Sequence, residues 1–419
     1  MDIPGLPARK AALRLLDAVL RRGETLDQAG HNAVQPVRGE ADRALAKAIA
    51  AETLRWLADL DALIDSATRQ PLPSDAKPRM VLRLMLAQWL RLDTPPHAVI
   101  ATGLELLSGG PRRLAHGVFS TLTKRGPALP AAPTLPANVA ARWGATMEDG
   151  RALAIAAALA EPPPLDLSLR DPAETARWAE ALGGVSLAPG HVRLPRGHAV
   201  ERMPGFAEGA WWVQDLAASL PARLLGPGQG EGDSGRTALD LCAAPGGKTL
   251  QLAAAGWAVT ALDVSAQRLE RVSQNLARTG LSADIVAADA LAWEPAARFD
   301  AVLLDAPCTA TGTCRRHPDV LHRIGARQIA EMAELQATLL ERAARWVKPG
   351  GTLVYAVCSL EREEGEAQAT RVALTPDPIR ADALPAGLAP TPEGWLRTDP
   401  GMLAEAGGLD GFFIARWRG

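Results

Sequence analysis

From Thr237 onward, short apolar runs alternate with amphipathic stretches, and each apolar run closes on a small or acidic residue. Residues 237–243, 258–264, 283–289, 299–305 and 352–358 read as strands. Helical periodicity falls between them, near 247–255, 265–279 and 327–347. Such alternation predicts an α/β domain built on a largely parallel sheet with helices on both faces. Ligands of such sheets bind at the carboxyl ends of the strands, so the residues that close each strand are the first candidates for chemistry.

Upstream the pattern differs. Residues 8–125 lack strand-like alternation and carry apolar positions at helical spacing, as in Ala11-Ala12-Leu13-Arg14-Leu15-Leu16. Further helical patterns cover about 40–57, 77–92, 96–108 and 112–125. A proline-rich break over 127–136 predicts a stiff, extended linker. Residues 137–225 mix short helices and strands and read as a small α+β module. The stretch 226–236, rich in glycine and polar residues, reads as a loop opening the α/β domain, 226–419.

Charge and cysteines narrow the partners. Residues 1–130 hold 18 Lys and Arg against 13 Asp and Glu, a net of +5, whereas the remainder has 27 against 34. A basic helical region fits a polyanion such as nucleic acid. No apolar run approaches the ~20 residues of a membrane span, and no signal-peptide pattern opens the chain. The 4 cysteines form no CxxC pair, which argues against a disulfide framework and a zinc site. A cytoplasmic, metal-free protein without membrane contact is expected, and the absence of a dimerisation stripe favours a monomer.

The strand ends predict a cofactor pocket. The first strand runs into Cys242-Ala243-Ala244-Pro245-Gly246-Gly247-Lys248-Thr249, small residues that let the backbone turn beside a ligand. A triphosphate loop would need glycine where Cys242 stands, and the dinucleotide pattern is also absent. Asp263 closes the second strand and is placed for ribose hydroxyls, with Arg268 on the helix behind it. Asp289 closes the third and is placed for an adenine edge; Asp305 closes the fourth, and Asp240 lies in the first. A nucleoside cofactor without a triphosphate fits, and S-adenosylmethionine fits best.

Two cysteines complete the constellation: Cys308 in Asp305-Ala306-Pro307-Cys308, and Cys358 in Val357-Cys358-Ser359. A thiolate that adds to an electron-poor ring makes the ring nucleophilic, so a pair of thiols beside this cofactor suggests methylation at a ring carbon. Residue chemistry alone leaves open which thiol attacks. Asp305 could bind the base edge and donate a proton as charge builds, and Lys248 could orient Asp305 or the base. Cys242 and Cys314 read as structural or incidental thiols, and Arg315, Arg316 and His317 either as a phosphate clamp or as a solvated basic loop.

These stretches, with Gly209-Ala210-Trp211-Trp212-Val213-Gln214-Asp215, Arg315-Arg316-His317-Pro318-Asp319 and Asp410-Gly411-Phe412-Phe413, resemble the RsmB branch of the Nop2/Sun family of RNA cytosine-C5 methyltransferases. The likeness covers nearly the whole chain, and the N-terminal helices resemble the NusB-like RNA-binding domain of that branch. It departs at Thr309, where serine is usual, and at Val357, where threonine is usual. The resemblance implies a Rossmann-like fold, small-subunit (16S) ribosomal RNA as partner with an unpaired, flipped cytosine, Cys358 as nucleophile and Cys308 in product release. A ribosome-assembly factor with secondary methyltransferase activity, or a cytosine-C5 methyltransferase of another RNA, is the alternative.

Overall fold

A computed structural model describes residues 3–229 and 235–419; part of the expected 226–236 loop therefore lies outside the described residues. The chain forms two compact units, Met1–Pro162 with Cys314–Gly325, and Pro163–Thr313 with Ala326–Gly419.

The first unit is helical. Its main helices are Leu6–Arg22, Leu26–Val34, Glu40–Arg55, Leu57–Ser66, Lys77–Arg91, Pro96–Gly103 and Gly109–Arg125. Stops and starts follow local chemistry. Gly23 at φ 70° ends the first helix, and Thr25 and Gln28 exchange a capping box that opens the second. Leu15, Leu16, Ile49, Leu54, Met85 and Phe119 meet in one apolar core. The helix Leu57–Ser66 falls inside the stretch read as helical but between its named patterns; it buries Leu60 and Ile64 and carries Asp59, Asp61 and Asp65. Asp61 and Asp65 are neutralised by Arg79 and Arg83 across the unit, at 2.7–2.9 Å. The proline-rich stretch does not end this unit. Thr134 donates from its N–H and hydroxyl to Asp59 at 2.9 and 2.7 Å, and the helices Ala137–Thr146 and Arg151–Ala158 belong to the same body.

In the second unit, β1 (Leu165–Leu169), β2 (His191–Leu194) and β3 (Trp211–Val213) form a small antiparallel sheet in the order β2-β1-β3. The large sheet contains β4 (Thr237–Leu241), β5 (Ala258–Asp263), β6 (Asp284–Ala287), β7 (Phe299–Asp305), β8 (Val347–Val357), β9 (Thr375–Pro376), β10 (Leu396–Thr398) and β11 (Phe412–Arg418). Its order is β10-β11-β8-β7-β4-β5-β6, with β9 beside β11. Strands β4 to β8 pair in parallel, as the alternation predicts; β9 to β11 add an antiparallel edge that short, irregular patterns did not announce. Both faces are covered. Leu239, Val302, Leu304 and Leu353 face one core, and Ala238, Leu303, Val354 and Ile414 the other. Strand order reverses between β4 and β7, and that switch point is where an open α/β sheet forms its crevice.

Candidate active site

The turn after β4 is built tightly. Cys242 adopts φ 60° and Gly246 φ 104°, and the Ala244–Pro245 peptide is cis. A Cβ on Gly246 would stand 3.1 Å from Val272, so this position demands glycine twice over. Ala243 N–H donates to the Leu262 carbonyl at 3.0 Å, and the helix Gly247–Ala254 then begins.

The strand-end acids divide by role. Asp263, 2% exposed, accepts from Ala244 N–H at 3.1 Å and Ser265 N–H at 2.9 Å, so it braces the turn from β5. Arg268 assists: it donates to the Ala244 carbonyl and lies 3.6 Å from Asp263. Asp289 lies past the end of β6, exposed, accepting from Leu291 N–H at 2.9 Å. Asp240 is wholly enclosed and bonded only by the Thr249 hydroxyl; burial pushes its carboxyl up to about 7. It is a core acid and not part of the crevice wall.

Asp305 is different. Its side chain keeps 29% of its surface, and one oxygen accepts from Lys248 Nζ at 2.7 Å. Burial works against the Lys248 charge, but Asp305 more than offsets it and raises the ammonium above its usual range. The same ammonium lies 5.4 Å over the Phe412 ring.

The two predicted thiols meet. Cys308 Sγ and Cys358 Sγ are 3.4 Å apart, carried by the loops that leave β7 and β8. The Cys308 thiol is held well above its ordinary range, first by its hydrogen bond to Cys358, then by burial and the nearby Glu364 carboxylate. Cys242 is pushed up to about 12 by burial and by Asp305, so it remains a neutral thiol. Backbone approach fixes the loops: Gly312 N–H donates to the Cys358 carbonyl at 3.0 Å, and Gly411 N–H to the Gly312 carbonyl at 2.8 Å. A Cβ on Gly312 would meet the Gly411 carbonyl oxygen at 2.0 Å, and one on Gly411 would meet Leu360 at 2.5 Å, so neither position has room for a side chain.

One group here escaped the sequence reading. Glu364, fully buried, accepts from Thr309 N–H at 2.9 Å, from the Ser359 hydroxyl at 2.7 Å, from Gln336 Nε2 at 2.9 Å and from the Thr309 hydroxyl. Arg315 corrects an expectation. It is 2% exposed within the helical unit, and its carbonyl accepts from Arg55 at 2.9 Å, so its side chain is enclosed and not offered to a phosphate. His317 lies 3.8 Å from Asp27 in the same unit, and Cys314 is buried there.

A largely parallel sheet with an antiparallel edge, a turn of small residues at its switch point and an acid on the next strand is the architecture shared by Rossmann-like S-adenosylmethionine methyltransferases. A family model described as 16S rRNA methyltransferase RsmB/F matches residues 228–418, and one described as NusB family matches residues 6–109. Ribosomal RNA small subunit methyltransferase B of Klebsiella pneumoniae subsp. pneumoniae is 33% identical over 97% of each chain. Its counterpart in Xylella fastidiosa is 34% identical over 98% of each. A solved methyltransferase homolog from Pyrococcus horikoshii superposes with TM-score 0.56 at 27% identity, covering 67% of this chain and 94% of its own. The chain belongs to the RsmB/F family of the Nop2/Sun type and is an S-adenosylmethionine-dependent RNA methyltransferase.

The residues fit that cofactor. The tight turn over 242–247 is built of small residues, and Asp263 and Asp305 stand at the ends of strands on either side of β4. Asp263, Arg268 and the turn would hold the nucleoside end. Asp289 stands outside β6, where it could meet an adenine edge.

Proposed function

We propose that this protein methylates carbon 5 of a cytosine in small-subunit (16S) ribosomal RNA through a covalent adduct at carbon 6. The observation that carries the reading is the thiol pair at 3.4 Å next to the Lys248–Asp305 ion pair. When bound, S-adenosylmethionine supplies an electrophilic methyl group on a cationic sulfur.

Carbon 5 of cytosine is a weak nucleophile. The Cys358 thiolate adds to carbon 6, the sulfur–carbon bond forms, and the ring's double-bond electrons move to carbon 5. Asp305, once protonated beside Lys248, donates its proton to ring nitrogen 3 as negative charge builds there, its other oxygen accepts from the amino group, and the proton returns when the adduct collapses. After carbon 5 takes the methyl group, its proton must leave. The carbon–sulfur bond then breaks, the double bond reforms, and the Cys358 thiolate departs with its electron pair.

Cys308 fits that release. Its strongest restraint against ionising is the hydrogen bond to Cys358, and adduct formation removes that partner. Cys308 then gives its proton to solvent and takes the carbon 5 proton. The cytosine reaches the crevice unstacked, from a single-stranded or flipped state. The basic helical unit grips neighbouring RNA, and the protein acts in the cytoplasm as a monomer without metal.

Labelled cofactor with unmodified small-subunit RNA tests the reading, and absence of label at cytosine carbon 5 would sink it. The roles of the thiols are tested separately. Cys358→Ala should form no protein–RNA adduct, whereas Cys308→Ala should accumulate one that survives denaturing gels. The opposite pattern would make Cys308 the attacking thiol.

A further inference from the structure

We propose that Glu364 is a positioning residue for methyl transfer, one whose buried carboxylate ties the loop after Cys308 to the loop after Cys358 and fixes the two thiols at their 3.4 Å separation. The inference rests on reading the thiol pair as nucleophile and releasing group. It adds a residue with no exposed surface.

The geometry is specific. One carboxylate oxygen takes the Thr309 N–H and Gln336 Nε2; the other takes the Ser359 and Thr309 hydroxyls. Thr309 directly follows Cys308, and Ser359 directly follows Cys358. Gln336 also donates to the Pro307 carbonyl at 2.8 Å, the residue before Cys308. Tyr355, the chain's single tyrosine, donates to the Glu364 carbonyl at 2.6 Å. Both thiol loops and the helix Ala326–Arg345 therefore converge on one carboxylate.

A buried carboxylate is costly unless its lone pairs are filled, and four donors fill them here. A neutral apolar residue would pack the same space without that cost, so the charge calls for a reason. The reason lies beside it. Negative charge at Glu364 adds to the forces that keep Cys308 protonated, so Cys308 remains the proton-bearing member of the pair and Cys358 is left to attack.

Two variants separate charge from geometry. Glu364→Gln keeps one acceptor oxygen, and the hydroxyls can reverse to accept from its amide; Glu364→Ala removes the whole tie. The first measurement is iodoacetamide labelling of each cysteine between about pH 7 and pH 10, resolved by peptide mass spectrometry. It needs neither RNA nor cofactor, so it stands even where the wild type fails to methylate cytosine. In Glu364→Gln, Cys308 should label at lower pH, each unit of displacement giving about tenfold faster labelling at fixed pH. The second measurement is turnover. Glu364→Ala should lose adduct formation and at least about tenfold in kcat. KM for S-adenosylmethionine should hold, and Glu364→Gln should recover most of the adduct.

Folded Glu364→Ala with wild-type adduct formation overturns the proposal. Should that variant fail to fold, an unchanged Cys308 labelling profile in Glu364→Gln overturns it instead. A wild type that labels no cytosine, with the Cys308 displacement present, removes the reaction reading while leaving the tie intact.

Discussion

Asp240 shows how a residue in the right place for a ligand can serve the core instead. It occupies the first strand of the crevice, yet it has no exposed surface and its carboxyl is raised to about 7 by burial. The folded state then holds a proton that the unfolded chain, with an ordinary carboxylate near 4, releases. Folded stability linked to this group is greatest below about pH 4 and falls as pH rises toward about 7, by roughly 1.4 kcal/mol per unit. Asp240→Asn mimics the protonated form and should be free of that loss. Chemical denaturation at several pH values should show the variant gaining on wild type from about pH 4 upward. A constant difference between the two would refute the assignment. At this scale the sequence drew Cys308, Cys358, Asp305 and Lys248 into one candidate constellation, and the fold places the two thiols 3.4 Å apart and Lys248 2.7 Å from Asp305. Glu364 was not, because it stands in the charged run Glu361-Arg362-Glu363-Glu364, which looks solvated until the fold encloses it. Thr309, where the resemblance expects serine, still carries a hydroxyl to Glu364. Val357 is fully buried on an apolar face.

Among the elements, the small sheet depends on a buried ion pair. Arg193 on β2 binds Asp166 on β1 through two bonds of 2.7 and 2.8 Å, and both side chains are almost wholly enclosed. Asp166 also accepts from Leu216 N–H at 3.0 Å, at the start of the helix Leu216–Arg223. Burial alone would raise this carboxyl; the Arg193 bonds and the nearby His191 ring outweigh it and hold it well below the carboxylate range. Its linked stability is therefore present above the ordinary carboxylate range and is lost only in strong acid. Arg193→Met should strand the Asp166 charge and destabilise the second unit by about 3–5 kcal/mol. Urea denaturation followed by tryptophan fluorescence reads this directly, through Trp211 and Trp212 on β3. Asp166→Asn in the same background should restore part of the loss; no recovery would mean that packing, not the stranded charge, is responsible. None of this was visible in sequence. An Asp and an Arg in two short alternating strands look like outward-facing polar residues, and only the pairing of β1 with β2 turns them toward each other.

Across the whole molecule, chain path and compact unit part company once. The chain leaves the sheet unit after Thr313, gives Cys314–Gly325 to the helical unit, and returns at Ala326. Proximity in sequence to Cys308 made this segment look like a continuation of the Cys308 loop; its apolar residues tie it to the helical unit. Val320, Leu321 and Ile324 are buried, and His322 shares a 2.7 Å hydrogen bond with the Leu54 carbonyl. Leu26 N–H donates to Asp319, while Arg55 binds the Arg315 carbonyl. Each buried aliphatic side chain is worth roughly 1.5–3 kcal/mol, so the helical unit is the main source of order in the segment. Residues 163–419 made alone should retain slow amide exchange in β4, β7 and β8. The amides of Val320 to Ile324 should exchange roughly a hundredfold faster than in the full chain, equivalent to about 3 kcal/mol of local opening energy. Equal protection in the two proteins would mean that the segment is ordered by the sheet unit alone. The predicted loss would mean that the residues immediately following the Cys308 loop take their structure from the helical unit.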